Sequence, residues 1–296
     1  MKICRYNRNR LGLAVGERVL DVTAALDVLP EVRWPLPLGD QLIANLGRVR
    51  RRIKALAPGA RSQPLAKVKL LSPVANPSKI IGAPVNYKKH VDESMKDKGI
   101  SHGRDLKKMT IGRIGLFLKA NSALVGPSEG VALRFPKSRN DHEVELAAVI
   151  GKPGTNIKRR DALAHVAGYA IGLDMTVRGP ATFSFRKSVD SYAVLGPWLV
   201  TADEIADPNA LDLSLRVGRA PRQSANTCDM ILDVERLIEF ASTYYTLLPG
   251  DIIMTGTPQG VGPVRPGQVM HAEIEGIGRM DVAVRAHRTR PVGRKK

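Results

Sequence analysis

Apolar and polar positions change rhythm several times along this chain of 296 residues. Leu11, Leu13 and Val15 recur with period two, the spacing of a strand. Gly16-Glu17 supplies a turn into a return strand that opens at Val19 and Leu20. Asp21 or Thr23 then caps a short helix over residues 24–29. Residues 57–67, with Pro58, Gly59, Ser62 and Pro64, read as a linker. That division leaves a small N-terminal domain, 1–66, and a larger one, 67–296. In the larger part, short apolar runs bounded by Gly and Pro predict strands at 80–85, 115–118, 143–150, 169–173, 197–200, 213–217, 251–254 and 269–274. Helices are fewer. Asp161 caps 162–166, and Asp233 caps a longer helix to about Tyr245, with Leu237, Ile238, Ala241 and Tyr244 along one face. Many strands with few helices make a β-rich α+β fold.

Residues 88–113 break this rhythm. They form a long polar excursion between two apolar strands, which is either a disordered loop or a lid over a site.

Composition adds three constraints. An apolar fraction of 43% is enough to build a sizeable core. Cys4 and Cys228 are far apart and form no metal-binding or redox spacing, and so few cysteines suit a reducing compartment. Arg5, Arg8, Arg10 and Arg18 interrupt every early apolar run, so no secretory signal is expected. No run is long enough to span a membrane, and the expectation is a soluble, cytoplasmic protein. The net charge of +18 favours acidic partners. Its denser patches, at 48–54, 88–108 and 285–296, carry few aromatics for stacking bases. A solvated basic surface therefore ranks above nucleic-acid binding.

The chemistry concentrates around Asp141-His142-Glu143-Val144-Glu145. In a strand, Glu143 and Glu145 share one face. Two adjacent carboxylates repel unless a proton or a cation intervenes, and an oxygen-only pair favours a hard ion such as Mg²⁺, Mn²⁺ or Ca²⁺. For Glu-x-Glu alone, a solvated acidic edge is the better explanation. Asp174 follows an apolar run and can add a third carboxylate from a strand end, or cap the next turn. His90 and Glu93 are three apart, so one helical turn brings them together; a carboxylate beside an imidazole orients it as a general base. A surface histidine in a charged loop explains that spacing as well. The Gly-rich run 254–262, with Thr257, can cradle a carboxylate or simply make a turn. It lacks the spacing of a nucleotide-phosphate loop. Arg178 and Lys187, taken singly, read as ordinary surface cations.

In order, these segments resemble the fumarylacetoacetate hydrolase family. The series begins with Asn86-Tyr87 followed by His90 and Glu93, then Phe117-Leu118-Lys119 and Ser122 to Pro127. It continues with Glu143, Glu145 and Asp174, Leu195 to Val200, Arg222-Gln223 with Asn226 to Met230, and Thr255-Gly256-Thr257-Pro258. The resemblance covers about residues 71–284. It implies a mixed β-roll catalytic domain, usually a homodimer, with Mg²⁺ or Mn²⁺ held by Glu143, Glu145 and Asp174. His90 and Glu93 would activate water, Lys187 matches the active-site lysine, and Arg178, Thr257 and Gln259 fall on the substrate side. The implied reaction is hydrolysis of a carbon–carbon bond in a small anionic 2,4-dioxo acid of acylpyruvate type, with breakdown of aromatic compounds as its setting. Decarboxylation or isomerisation of an unsaturated oxo-diacid is the alternative. An anionic-ligand or nucleic-acid binding protein is the reading from a different class. Several residues depart from the family pattern. Pro84 stands where Gly is usual, Gly179-Pro180-Ala181-Thr182 follows Arg178, and Gln259 replaces a small residue. These changes bear on the identity of the substrate.

Overall fold

The computed structural model describes residues 1–287 apart from 102–104, 106, 107 and 109. The basic tail beyond 287 and the middle of the polar excursion lie outside the described residues. Each apolar run forms a strand: Ile80–Gly82, Phe117–Lys119, Val144–Ile150, Val166–Asp174, Ala193–Thr201, Asp212–Val217, Ile252–Met254 and Val269–Ile274.

Among the described residues the largest sheet has 12 strands. Its centre runs, in order, Lys2–Tyr6, Ala193–Thr201, Val166–Asp174, Val144–Ile150, Ile252–Met254 and Ile80–Gly82. Val144–Ile150 is paired antiparallel on both edges, and all of its residues are buried. Its alternation therefore separates two apolar layers and not core from water. Leu146, Ala148 and Ile150 pack with Leu213, Leu215, Met270 and Ala272 of a second, five-stranded sheet. Ala147 and Val149 face the other way, with Ala170, Leu195, Ile252 and Met254. Strands dominate and helices are peripheral, the β-rich α+β class expected from the apolar pattern.

Residues 1–66 hold a small cluster of their own around Ile3, Leu11, Val22, Ala25, Val49 and Ile53. They are also hydrogen-bonded into the large sheet, with Lys2 opposite Val200 and Ile3 opposite Leu199. The stretch 57–67 is more ordered than a linker. It contains the strand Ser62–Pro64, which pairs with Arg18–Asp21.

Two local readings need correction, and one charged stretch holds an element the pattern did not show. Residues 24–29 form a 3-10 segment, Thr23–Val28, with no side-chain cap, because Asp21 instead accepts from the Thr23 amide and hydroxyl. Residues 162–166 belong to a 3-10 segment, Arg159–His165, and Val166 already opens a strand. The charge run at 48–54 conceals the helix Leu46–Leu56. Val49 and Ile53, four apart, are its buried stripe, while Arg48, Arg51, Arg52 and Lys54 face out. The helix after Asp233 forms as expected over Val234–Tyr244, capped through the Arg236 amide, although Tyr244 points to solvent. No helix of the described residues is long and apolar enough to cross a membrane.

Candidate active site

Three carboxylates meet where the two central strands end. Glu145 lies within Val144–Ile150, Glu143 directly precedes it, and Asp174 closes Val166–Asp174. The Asp174 amide donates to the Glu143 carbonyl at 2.9 Å, which locks the two strand ends together. All three side chains are buried, and one oxygen from each lies within 4.8 Å of the others.

Such a concentration of charge needs partners, and the surrounding chain supplies them. Lys187 Nζ donates to Glu143 and to Asp174, both at 2.6 Å. Lys119, buried at the end of the strand Phe117–Lys119, donates to the other oxygen of Asp174. Arg178 bridges Glu143 at 2.8 Å and Asp141 at 2.7 Å. Arg139 in turn holds Asp141 at 2.8 Å. Glu145 receives a backbone donor, the Gly256 amide at 2.8 Å. Burial pushes the Glu145 carboxyl well above its ordinary range, and the nearby charges of Asp174 and Glu143 push it further. Burial alone would raise Glu143 too, but Lys187 and Arg178 outweigh it and hold that carboxyl low. The crowded charges thus pull the two carboxyls in opposite directions, Glu143 down and Glu145 up. Three oxygen donors, with no nitrogen or sulfur among them, suit a hard divalent cation. The raised Glu145 is the group that such an ion would relieve.

His90 and Glu93 stand above this floor on the helix Lys88–Lys96. His90 Nδ1 lies 3.2 Å from Glu93 Oε2, and Ser94 Oγ approaches Nε2 at 3.5 Å. Both Glu93 oxygens accept the Gly260 amide at 3.0 Å, so the turn after the strand Ile252–Met254 holds the helix in place. A cavity of about 50 Å³ joins the two layers, with His90 and Ser94 on one side and Glu143, Glu145, Lys187 and Thr257 on the other.

Eight of the nine candidate residues meet here. Six of them, His90, Glu143, Glu145, Arg178, Lys187 and Thr257, line the cavity; Glu93 touches it through His90, and Asp174 through the floor. Gln259 does not line it. Its amide donates to the Ser224 carbonyl at 3.3 Å, and the side chain borders an outer hollow with Lys89, Glu93 and Lys96. The Thr257 hydroxyl is engaged in the frame, donating to the Val144 carbonyl at 2.9 Å and accepting from Gln223 at 2.7 Å.

Sequence reasoning assigned no role to Lys119, Ser94 or Gln223. Lys119 had a visible signal: it alternates with Leu118 and shares the buried side of its strand with Phe117. Ser94 follows His90 by one helical turn. Gln223 stood in the family-like series without a role, because its partners His142 and Thr257 are 81 and 34 residues away.

The fumarylacetoacetate (FAA) hydrolase C-terminal model matches residues 79–285. The chain belongs to this family. Maleylpyruvate hydrolase of Aquipseudomonas alcaligenes is 58% identical over 286 residues, which cover 97% of this chain and 100% of the relative. A mitochondrial oxaloacetate tautomerase of Bos taurus is 37% identical, covering 90% of this chain and 85% of the relative. The crystal structure of maleylpyruvate hydrolase from Sphingobium sp. SYK-6 in complex with manganese(II) and pyruvate superposes with a TM-score of 0.82. Its identity to this chain is 39%, with 97% of this chain and 100% of that chain covered.

Proposed function

We propose that this chain is a metal-dependent hydrolase of maleylpyruvate-type 2,4-dioxo acids, cutting the bond between the acyl carbonyl and the pyruvate methylene. The observation that carries the reading is one cavity lined by Glu143, Glu145 and a carboxylate-oriented His90, with the buried Asp174 clustered beside the two glutamates. The 58% identity to a maleylpyruvate hydrolase over almost the whole chain supports the same substrate class.

Glu143, Glu145 and Asp174 would hold the divalent ion, with Mn²⁺ and Mg²⁺ both suited to an all-oxygen set. The chemistry it supplies when bound is stabilisation of the enolate that leaves as the carbon–carbon bond breaks. His90, its Nδ1–H directed at Glu93, keeps Nε2 as the base for a water entering the cavity. That water adds its oxygen to the acyl carbonyl; the bond to the methylene breaks, and the proton held by His90 goes to the departing carbon. The products are pyruvate and a carboxylic acid. Lys187 stands between Glu143 and Asp174 and offers positive charge to the oxygens of the pyruvate half. Arg178 serves as a positioning residue, since its guanidinium is committed to Glu143 and Asp141.

The similarity to an oxaloacetate tautomerase supports a second reading, in which the same floor stabilises an enol without attack by water. We take the enzyme to be a cytoplasmic homodimer working in the breakdown of aromatic compounds. Its two free cysteines suit a reducing compartment, and light scattering reads the oligomer directly. The deciding assay supplies maleylpyruvate and oxaloacetate to the purified chain with Mn²⁺, with Mg²⁺ and with EDTA. Metal-dependent release of pyruvate from maleylpyruvate is the expected result. Enol–keto exchange of oxaloacetate without any maleylpyruvate cleavage would replace the hydrolase reading with the tautomerase one.

A further inference from the structure

Val85 holds a backbone conformation that its side chain resists. It stands directly after Pro84, in the turn between the strand Ile80–Gly82 and the helix Lys88–Lys96, with φ at 46°. Glycine or asparagine usually fills such a left-handed position, and a β-branched residue there is an outlier. The next residue keeps it in place. Asn86 donates to the Leu232 and Thr255 carbonyls, each at 2.8 Å, and its side-chain oxygen accepts from the Leu232 amide at 2.8 Å. Its backbone carbonyl accepts from the Ile231 amide at 2.7 Å. Strain that the surroundings over-determine in this way is the kind that functional positions retain.

Two hollows meet at this side chain. On one side is the catalytic cavity of about 50 Å³, where Ala83, Pro84 and Val85 form an apolar wall. On the other is a hollow of about 400 Å³, whose lining includes Val91, Ile111, Ile231 and Leu232. Among the described residues that line them, Val85 alone belongs to both. The helix follows the same division, since His90 borders the first and Val91, about 100° further round, borders the second. Pockets that enclose small ligands begin at roughly 300 Å³. The catalytic cavity is well below that size, and the hollow behind Val85 exceeds it.

We propose that Val85 is the specificity residue for acyl length: its side chain closes the catalytic cavity against the apolar hollow, so that only a short acyl group fits. The proposal rests on the hydrolase reading. With the pyruvate half taken by the carboxylate and lysine floor, the acyl group is the part of the substrate that meets the wall of Ala83, Pro84 and Val85. Valine keeps its branched methyls between the two hollows, where glycine would relieve the backbone and join them. The hollow is then the subsite that an unbranched apolar acyl chain enters once the partition is removed.

Acetylpyruvate has a short acyl group and hexanoylpyruvate a long, unbranched one. The test compares the ratio of kcat/KM on hexanoylpyruvate to that on acetylpyruvate in the wild type, Val85→Ala and Val85→Gly at saturating Mn²⁺. Turnover of acetylpyruvate shows that each variant folds. The wild type should strongly prefer acetylpyruvate. Both variants should raise the ratio roughly tenfold or more, the scale on which a hydrophobic pocket discriminates by methylenes. Alanine keeps a Cβ at the strained position and glycine does not. A gain in Val85→Gly with none in Val85→Ala would therefore assign the effect to the backbone and overturn the partition. A wild type that accepts both substrates equally, or an unchanged ratio in both variants, would overturn it as well. Calorimetry with 2-oxononanoate and pyruvate on Mn²⁺-loaded protein reads the subsite without turnover, because 2-oxononanoate has the long chain but no second carbonyl to attack. Val85→Ala should strengthen 2-oxononanoate binding roughly tenfold relative to pyruvate, and unchanged relative binding refutes the subsite. If the wild type cleaves neither substrate while this binding shift appears, the hydrolase reading falls and the partition stands.

Discussion

Glu145 lies in a strand paired on both edges and buried along its whole length, whereas His90 and Glu93 ride on a nine-residue helix whose outer residues meet solvent. The buried residues of that helix are polar, His90 and Ser94. Its ties to the body include Glu93 with the Gly260 amide and, just past its end, Asp97 with Arg139 at 2.7 Å. Such polar ties exchange readily with water, while a doubly paired strand opens only with the core. The arrangement teaches a division of labour. The carboxylates sit on the doubly paired element, and His90 and Glu93 sit on one held to the body mainly by polar contacts.

Removing a floor carboxylate should have the largest effect. Glu143→Ala or Asp174→Ala is expected to abolish turnover, by on the order of a thousandfold or more, and to weaken Mn²⁺ binding while the fold survives. Calorimetry with unchanged Mn²⁺ affinity in both variants would remove these residues from the metal assignment.

The same contrast predicts a wide spread in hydrogen exchange. Amides of Val144–Ile150 should exchange on the order of a thousandfold more slowly than those of Lys88–Lys96 in the apo protein. Adding Mn²⁺ with pyruvate should slow the helix and leave the strand unaltered. Uniform protection of both elements would dissolve the distinction.

His90→Ala should cost roughly a hundredfold in maleylpyruvate hydrolysis, the usual scale for a lost general base, with Mn²⁺ affinity intact. Any oxaloacetate tautomerisation should fall much less, since no water attacks there. Equal losses in both activities would make His90 a holder of the helix or a proton donor to the enol, and the division between the two layers would have to be redrawn.

The mildest test is chemical. Cys4 lies within the sheet, where burial pushes its thiol up to about 12; Cys228 is exposed and borders a hollow with Tyr87 and Lys88 at the start of the helix Lys88–Lys96. A thiol reagent at about pH 8 should label Cys228 in the native protein and reach Cys4 only after unfolding. Prompt labelling of Cys4 would mean that the N-terminal strands open independently of the sheet they extend.

Much of this architecture is written locally. Short apolar runs between glycines and prolines mark their strands because a strand is decided within a few residues, by β-branched packing and by turns that only certain residues make. The period-two spacing of Glu143 and Glu145 puts both on one face whatever surrounds them, and the three-residue step from His90 to Glu93 works the same way on a helix. What pattern alone missed was pairing and a thin buried stripe. The charges of 48–54 are solvated as read, but Val49 and Ile53, four apart, anchor a helix beneath them, and the stretch 57–67 looked loose because its strand partner lies some 44 residues earlier.

The tertiary structure decided everything that depends on distant segments meeting. Asp174 becomes a floor carboxylate and not a turn cap because Val166–Asp174 pairs with Val144–Ile150 in a register that sets its amide on Glu143. Arg178 and Lys187, ordinary cations in so basic a sequence, are singled out by the carboxylates they neutralise, and Lys119 and Gln223 by partners many residues away. Gln259, adjacent to the same turn, faces outward. A sequence specifies which groups exist and the local direction of each. Long-range strand pairing decides which of them share a low-dielectric cavity, and only there are charges coupled strongly enough to become a site.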